Sequence, residues 1–254
     1  PRCDLRDVTL TQADLAGADL SGANLSGAIL PGANLTGANL AGALLAGAKL
    51  ERAVFDGANL QGADFTDADL ARASFAGSDL SRAILVRANL HRANLPEANL
   101  TGADLSVASL NVANLRDAVL SNTLLSYADF FLAAMTQANL TNAYMWRGNT
   151  RRARMQNVDI SGAQLIDSDF REARLSGAIT SPETNFTDSR MEDTNFRGID
   201  FTEVNFTNTV MIRAMLRDAI LTNAIFKGAN LLGADLADTT LDGAVFTNAN
   251  LFQA

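Results

Sequence analysis

A large apolar residue returns every fifth position through nearly the whole chain. These centres run from Leu5, Leu10 and Leu15 to Thr180, slip by one residue, and resume from Phe186 to Leu251. Two places before the centre stands Ala in thirty-six of the fifty repeats, and Asp or Asn commonly fills the place between, as in Ala13–Leu45, ADLAGADLSGANLSGAILPGANLTGANLAGALL. A helix turns about 100° per residue, so a period of five would walk the apolar stripe around its whole surface. A continuous strand would put successive centres on opposite faces, because five is odd and the strand period is two. Neither element buries all the centres. The Ala–Asn–Leu unit does alternate as a short strand does, and the two residues left over, often Ser-Gly, Thr-Gly or Ala-Gly, suit a corner. Short sides joined by corners wind the chain into a tube with Ala and Leu inside.

Forty-eight of the fifty centres are apolar, Thr150 and Thr180 being the exceptions, and no charge stands at a centre or at the place two before it. Burial of a Leu stabilises by roughly 1.5–3 kcal/mol, whereas an unpaired buried charge costs far more. The uniformity therefore marks these positions as interior. Like residues also recur at spacing twenty: Arg52, Arg72 and Arg92; Met135 and Met155; Phe186, Phe206, Phe226 and Phe246. Stacked coils of four repeats each would place them in columns.

Tandem A(D/N)LXX over essentially the whole chain resembles the pentapeptide-repeat family. The resemblance implies an all-β fold, a right-handed quadrilateral β-helix with about four pentapeptides per coil. Fifty repeats then make twelve to thirteen coils, a rod of roughly 60 Å at about 4.8 Å per coil. Residues 1–254 are expected to form a single domain, with a one-residue register slip near 181–183 and an irregular segment near 146–152, where Gly148 and Thr150 disturb the interior pattern.

Composition narrows the chemistry. No run approaches the ~18 apolar residues of a transmembrane span. Cys3 falls on an interior position and is expected to be buried, and the single His91 falls on an outward corner. One Cys and one His make a poor zinc site, and no cofactor is expected. The net charge is −8, yet twelve of the twenty-eight acidic residues occupy the place just before a centre, which fifteen Asn share. Their expected task there is to hydrogen-bond the backbone of the corner, so the acidity belongs partly to the fold. The chain starts at Pro1 rather than Met, which suggests processing or trimming. The default expectation is a soluble cytoplasmic protein, the alternative the thylakoid lumen or another exported compartment.

Two surfaces stand out. Arg52, Arg72 and Arg92 form a basic edge, to be read either as a solvated edge with acids such as Glu51 and Asp69 beside it or as an edge for an anionic partner. Between 107 and 154 large side chains take outward places: Val107, Val112, Tyr127, Phe131, Leu132, Tyr144 and Trp146, with Arg147, Arg151, Arg152 and Arg154 beside them. Aromatics next to arginine are the composition of an interface hot spot. The competing account is a bulge around Gly148 that folds the aromatics onto the tube. A filled tube offers no concave pocket, and neither a phosphate loop nor a Ser–His–acid set is present, so an enzyme is not expected.

The reading that follows is a rigid scaffold for a protein partner, bound by Tyr127, Phe131, Leu132, Tyr144, Trp146, Arg147, Arg151 and Arg152. The family resemblance supplies an alternative, a DNA-mimicking binder of type II topoisomerase that inhibits or protects gyrase. Such members typically carry a C-terminal dimerising module and projecting loops, and neither is visible here. Direct binding of nucleic acid is not expected, and the rod could associate with itself end to end or side by side.

Overall fold

The computed structural model describes residues 3–254; Pro1 and Arg2 lie outside the described residues. Backbone bridges join residues twenty apart in parallel register, from Asp4 with Asn24 to Asp159 with Ile179, so four pentapeptides pass between one rung and the next. Among the described residues there is no helix, and none is therefore long and apolar enough to cross a membrane. Most rungs are single bridged residues. The two regular strands, β1 (Tyr144–Trp146) and β2 (Gln164–Ile166), pair in parallel with each other.

Each repeat does the same work. The centre and the residue two before it point inward, and from Ala23 to Leu165 almost all are fully buried. The centre's N–H donates across to the next coil, as Leu95 does to the Asn114 carbonyl at 2.7 Å, and Asn114 returns a bond to the Ala93 carbonyl at 3.0 Å. The corner closes by a bond from the third residue after the centre back to the centre's carbonyl, as from Ala98 to Leu95 at 3.3 Å. The second corner residue takes a φ near +60°, glycine at seventeen corners and another residue at thirty-two. That conformation aims its N–H along the rod: Gly17 donates to the Thr36 carbonyl at 2.9 Å and Glu97 to the Arg116 carbonyl at 3.0 Å.

The Asp or Asn before each centre acts as expected. Asp19 accepts from the Ser21 N–H at 3.1 Å and Asn139 from the Thr141 N–H at 2.9 Å. Asn does more than Asp, because only the carboxamide can donate. Each Asn of the ladder donates to the residue one coil below: Asn39 to Asp19 at 3.0 Å, Asn59 to Asn39 at 3.0 Å, Asn114 to Asn94 at 2.8 Å. The phenylalanines stack as the spacing predicts, Phe186, Phe206, Phe226 and Phe246 lying 5.0–5.3 Å apart and within 5° of parallel.

The extra residue is absorbed at 181–183. Bridges that span it join residues twenty-one apart, Gln164 with Asn185, Asp169 with Arg190 and Arg174 with Asn195, and the spacing returns to twenty at Asn185 with Asn205. No bridge forms between Ile179 and Asp200; there the Thr180 hydroxyl donates to the Asp200 carbonyl at 2.5 Å. Thr150, the other polar centre, donates to the Asp169 carbonyl at 3.0 Å. Both hydroxyls are thus satisfied on backbone, which is the condition for placing them beside the core.

Two expectations change. Cys3 is exposed, because its coil is the first described and only one coil packs against it. Around Gly148 the chain neither bulges nor projects: Asn149 keeps its bridges to Asp129 and Asp169. Only the corner's internal bond is replaced, the Gly148 N–H donating to Ser168 Oγ at 3.1 Å. A Cβ at 148 would collide with the Met145 side chain, so glycine makes room for a core methionine.

The register is open to a paired substitution. Leu95 is fully buried, and Leu95→Asp is expected to lose several kcal/mol. Asn94→Ser, one residue away and outward, gives up the bond from Asn114 and should cost about 1 kcal/mol. Equal losses in chemical unfolding would show the register to be wrong.

Candidate functional site

Side chains leave the rod in columns, because each outward place recurs twenty residues later. Two neighbouring corners carry the sequence's outlying residues. One column runs Asp67, Arg87, Val107, Tyr127, Arg147, Asp167; the other runs Arg52, Arg72, Arg92, Val112, Leu132, Arg152, Glu172, and every one of these residues has a φ between +52° and +63°. The side between the two corners carries Asp129 and Phe131 on one coil and Asn149 and Arg151 on the next.

Leaving aside Leu241, Leu251 and Phe252, which lie within 235–254, the exposed large apolar residues fall into two backbone classes. Leu44, Ile84, Leu124, Tyr144, Ile179, Ile220, Ile225 and Val245 are exposed at the bridged place before a centre, or within β1. Large and β-branched side chains favour that extended conformation, so the fold itself accounts for them. Val107, Val112, Tyr127 and Leu132 are the exposed large apolar residues in the left-handed region. Val107 is 51% and Val112 42% exposed. The left-handed region costs an L-residue roughly 1–2 kcal/mol, and a β-branched residue there is an outlier. The corner cannot relax, since each of these N–H groups is spent on the next coil: Val107 on Ser126, Val112 on Phe131 and Tyr127 on Trp146, each at 2.8 Å. Glycine would serve the fold at least as well.

Around these four the site is assembled from one coil to the next. Trp146 is half-buried on β1; Tyr127 meets its ring edge-on with centroids 5.1 Å apart, and the Arg147 guanidinium lies 4.7 Å from its centroid. Phe131 is half-buried beside the exposed Leu132, and Tyr144 is 41% exposed. The structure thus brings Tyr127, Tyr144, Trp146 and Arg147 together around one corner and Phe131, Leu132, Arg151 and Arg152 around the next. The arginines are held from above: Arg147 Nε donates to Asp167 at 2.6 Å, while Glu172 takes Arg151 at 3.0 Å on one oxygen and Arg152 at 2.7 Å on the other. Bonds from Arg152 and Arg151 hold the Glu172 carboxyl below its usual range.

The Arg52, Arg72 and Arg92 column behaves differently. Arg87 and Arg213 each clasp an acid one coil below in their own column, Asp67 and Asp193, at 2.6 Å. Among the described residues, none of the three comes within 4.0 Å of a carboxylate oxygen, because each has arginine or an uncharged residue above and below. Arg52 and Arg72 line an open groove of about 440 Å³ with Glu51, whose Oε2 is buried without a hydrogen-bond partner. His91 contacts Asn111 through Nδ1, and among the described residues no cluster of three metal-ligating side chains forms.

A second groove, about 570 Å³, was not foreseen as a unit. Val112, Leu132 and Arg152 form one wall and Arg154 and Arg174 the other, with Glu172 at its end. The twenty-residue spacing of Arg154 and Arg174, one place before their centres, is the sequence signal that could have found it.

The family described as pentapeptide repeats matches residues 3–40, 33–72, 73–111, 113–145, 138–177, 184–223 and 219–254, and leaves out 178–183, where the extra residue lies. A search of curated proteins gave no match. Among solved structures, HetL, a pentapeptide repeat protein involved in heterocyst differentiation regulation from Nostoc sp. strain PCC 7120, is 29% identical over 95% of this chain and 90% of its own, with a TM-score of 0.39. Full-length QnrB1, a plasmid-mediated fluoroquinolone resistance protein, is 19% identical over 71% of this chain and 92% of its own, with a TM-score of 0.38.

Two outcomes follow from the corner geometry and the ion pairs. Val107→Gly with Val112→Gly should leave unfolding stability unchanged or raised despite the loss of two apolar side chains. Relief of roughly 1–2 kcal/mol of left-handed strain at each site outweighs about 0.5–1 kcal/mol of added glycine entropy; a clear drop in the urea midpoint would refute it. The second outcome concerns acid. Arg87 holds Asp67, and Arg213 holds Asp193, below the usual carboxylate range, as the two arginines do Glu172. A depressed folded pKa gives stability that is complete above the unfolded value and lost as pH falls through the folded one. Melting temperature should hold from pH 7 to 5 and fall below about pH 4, and Asp67→Asn, Asp193→Asn and Glu172→Gln together should flatten that limb.

Proposed function

The chain belongs to the pentapeptide-repeat family, and we propose that within it this protein is a non-enzymatic, rigid rod that binds a protein partner through the patch at 107–154. The observation that carries this reading is the conformation of Val107, Val112, Tyr127 and Leu132. Four large side chains are exposed at corners where they strain the backbone and where glycine suffices. Strain maintained without structural return is characteristic of binding sites. Phe131 and Trp146 add half-buried aromatic surface, and Arg147, Arg151 and Arg152 are ordered in advance by Asp167 and Glu172. Groups fixed before association give up less freedom when a partner arrives.

The finer architecture belongs to the same reading: one domain over 1–254, right-handed and four-sided, with twelve to thirteen coils, supported by the twenty-residue ladder. The DNA-mimic alternative is weaker here. Its surface would have to be uniformly acidic, and the uncompensated Arg52, Arg72 and Arg92 interrupt it.

Trp146 is the chain's one tryptophan, so its emission reports on this patch directly. Acrylamide should quench it in the free protein and less so in the complex. Trp146→Ala should weaken partner binding by about 2 kcal/mol or more with the melting temperature little changed. The Val107→Gly/Val112→Gly variant should also bind less well while remaining as stable as the parent. Undiminished capture of the same partner by both variants would overturn the assignment.

A further inference from the structure

We infer that the groove between the Val112 and Arg154 columns takes an extended segment of a partner protein that presents an apolar side chain and, two residues along, a carboxylate. The inference rests on the reading of the rod as a protein-binding scaffold and states what its partner must carry.

The walls of the groove differ in kind. Val112 and Leu132 follow one another in a column, 42% and 43% exposed, and make an apolar strip two coils long. In the adjoining column, one and two coils above Leu132, Arg154 and Arg174 are bridged neighbours, both exposed. Below Arg154 the same column holds Ala134, only 6% exposed, so the wall is low beside the apolar strip and rises at the arginines.

The charge is unbalanced at the arginine end. Glu172 is the groove's one acid, and both its oxygens are already engaged by Arg151 and Arg152. Among the described residues, Arg154 and Arg174 reach no carboxylate oxygen within 4.0 Å. At some corners an acid one coil away answers the arginine, as Asp67 does Arg87 and Asp193 does Arg213; Arg154 and Arg174, like Arg52, Arg72 and Arg92, have no such partner. Two adjacent guanidiniums with no acid between them repel, and a carboxylate laid across them removes the repulsion and gains charge-assisted bonds.

The spacing selects an extended peptide. Coils stand about 4.8 Å apart, and an extended chain advances roughly 6.7 Å between side chains on one face. The middle of the Arg154–Arg174 pair stands one and a half coils, about 7 Å, above Leu132, so an apolar side chain seated against Leu132 places the carboxylate two residues on within reach of both arginines. A polynucleotide fits less well, since aliphatic Val112 and Leu132 give no ring on which a base could stack.

Random heptapeptides displayed on phage and selected on the full-length chain test this. Enrichment of an apolar residue followed two places later by Asp or Glu is expected. Synthetic peptides of that pattern should bind roughly tenfold more weakly to Arg154→Glu/Arg174→Glu, the loss of charge-assisted bonds, and more weakly to the parent as salt rises. Arg154→Gln/Arg174→Gln should fall between the two. These residues are exposed, and unchanged thermal unfolding confirms that the variants fold. No enrichment, or equal binding to parent and charge-reversed chain, overturns the inference. Peptides that bind the charge-reversed chain normally but fail on Trp146→Ala would overturn the groove while leaving the patch intact.

Discussion

Every coil of the rod is tied to the next by an N–H from a corner residue in the left-handed conformation, and the rest of the structure follows from that bond. The corner has to turn the chain through a sharp angle and still point a donor along the axis. A right-handed residue at that place would aim its N–H elsewhere and leave both that donor and the next coil's carbonyl unpaired, at about 1–3 kcal/mol for each buried group. The left-handed cost is smaller or comparable, and it is local. It is met by side chains that bury almost completely on either side of the corner, such as Ala103, Leu105, Ala108 and Leu110 around Val107. The repeat therefore tolerates thirty-two non-glycine corners. Tolerance is not indifference, which is why the choice of residue at a corner carries information about something other than folding.

Charge on the rod obeys a similar separation. Ion pairs form within or between neighbouring columns, and the side chains in them are mostly a third to two-thirds exposed. Pairs of that kind contribute about 0–1 kcal/mol each, far below the burial of a single Leu. The core fixes the fold and the surface charges decorate it. Arginines without an acid, among them Arg52, Arg72, Arg92, Arg154 and Arg174, are consequently compatible with a stable rod, and the repulsion within each column remains available to a ligand.

The interior was legible in the sequence because its rule is simple: a period of five with no charge admits few arrangements, and the spacing of Phe186, Phe206, Phe226 and Phe246 foretold their stacking. The slip at 181–183 was legible for the same reason. Gly148 was misjudged, since a glycine at an Ala position reads as a defect until the Met145 side chain is seen to occupy the space. Cys3 was misjudged because the repeat pattern marks the interior side of a coil without saying how many coils cover it. The patch at 107–154 was visible only as a cluster of large outward residues. Its division into Tyr144, which the extended backbone favours, and Val107, Val112, Tyr127 and Leu132, which the backbone resists, required the dihedral angles. The pairing of Arg147, Arg151 and Arg152 with acids one coil on could have been read from the twenty-residue spacing once four repeats per coil was accepted.

A solenoid of this kind separates stability from recognition more completely than a globular domain can. Each coil touches only its neighbours, so its energetic contribution is nearly independent of coils farther away. Strain at Val107 or Val112 is confined to one corner, while the supporting bonds and burial are distributed along the rod. A column position can then change identity from coil to coil, Arg92 to Val112 to Leu132 to Arg152 to Glu172, without altering the backbone beneath it. Function in such a rod is specified by which side chains share adjoining columns over two or three coils. On that criterion the region from Val107 to Arg174 is distinguished: aliphatic corners, an aromatic pair, pre-ordered arginines and an unanswered pair of guanidiniums lie within four successive rungs, on a scaffold whose own stability asks for none of them.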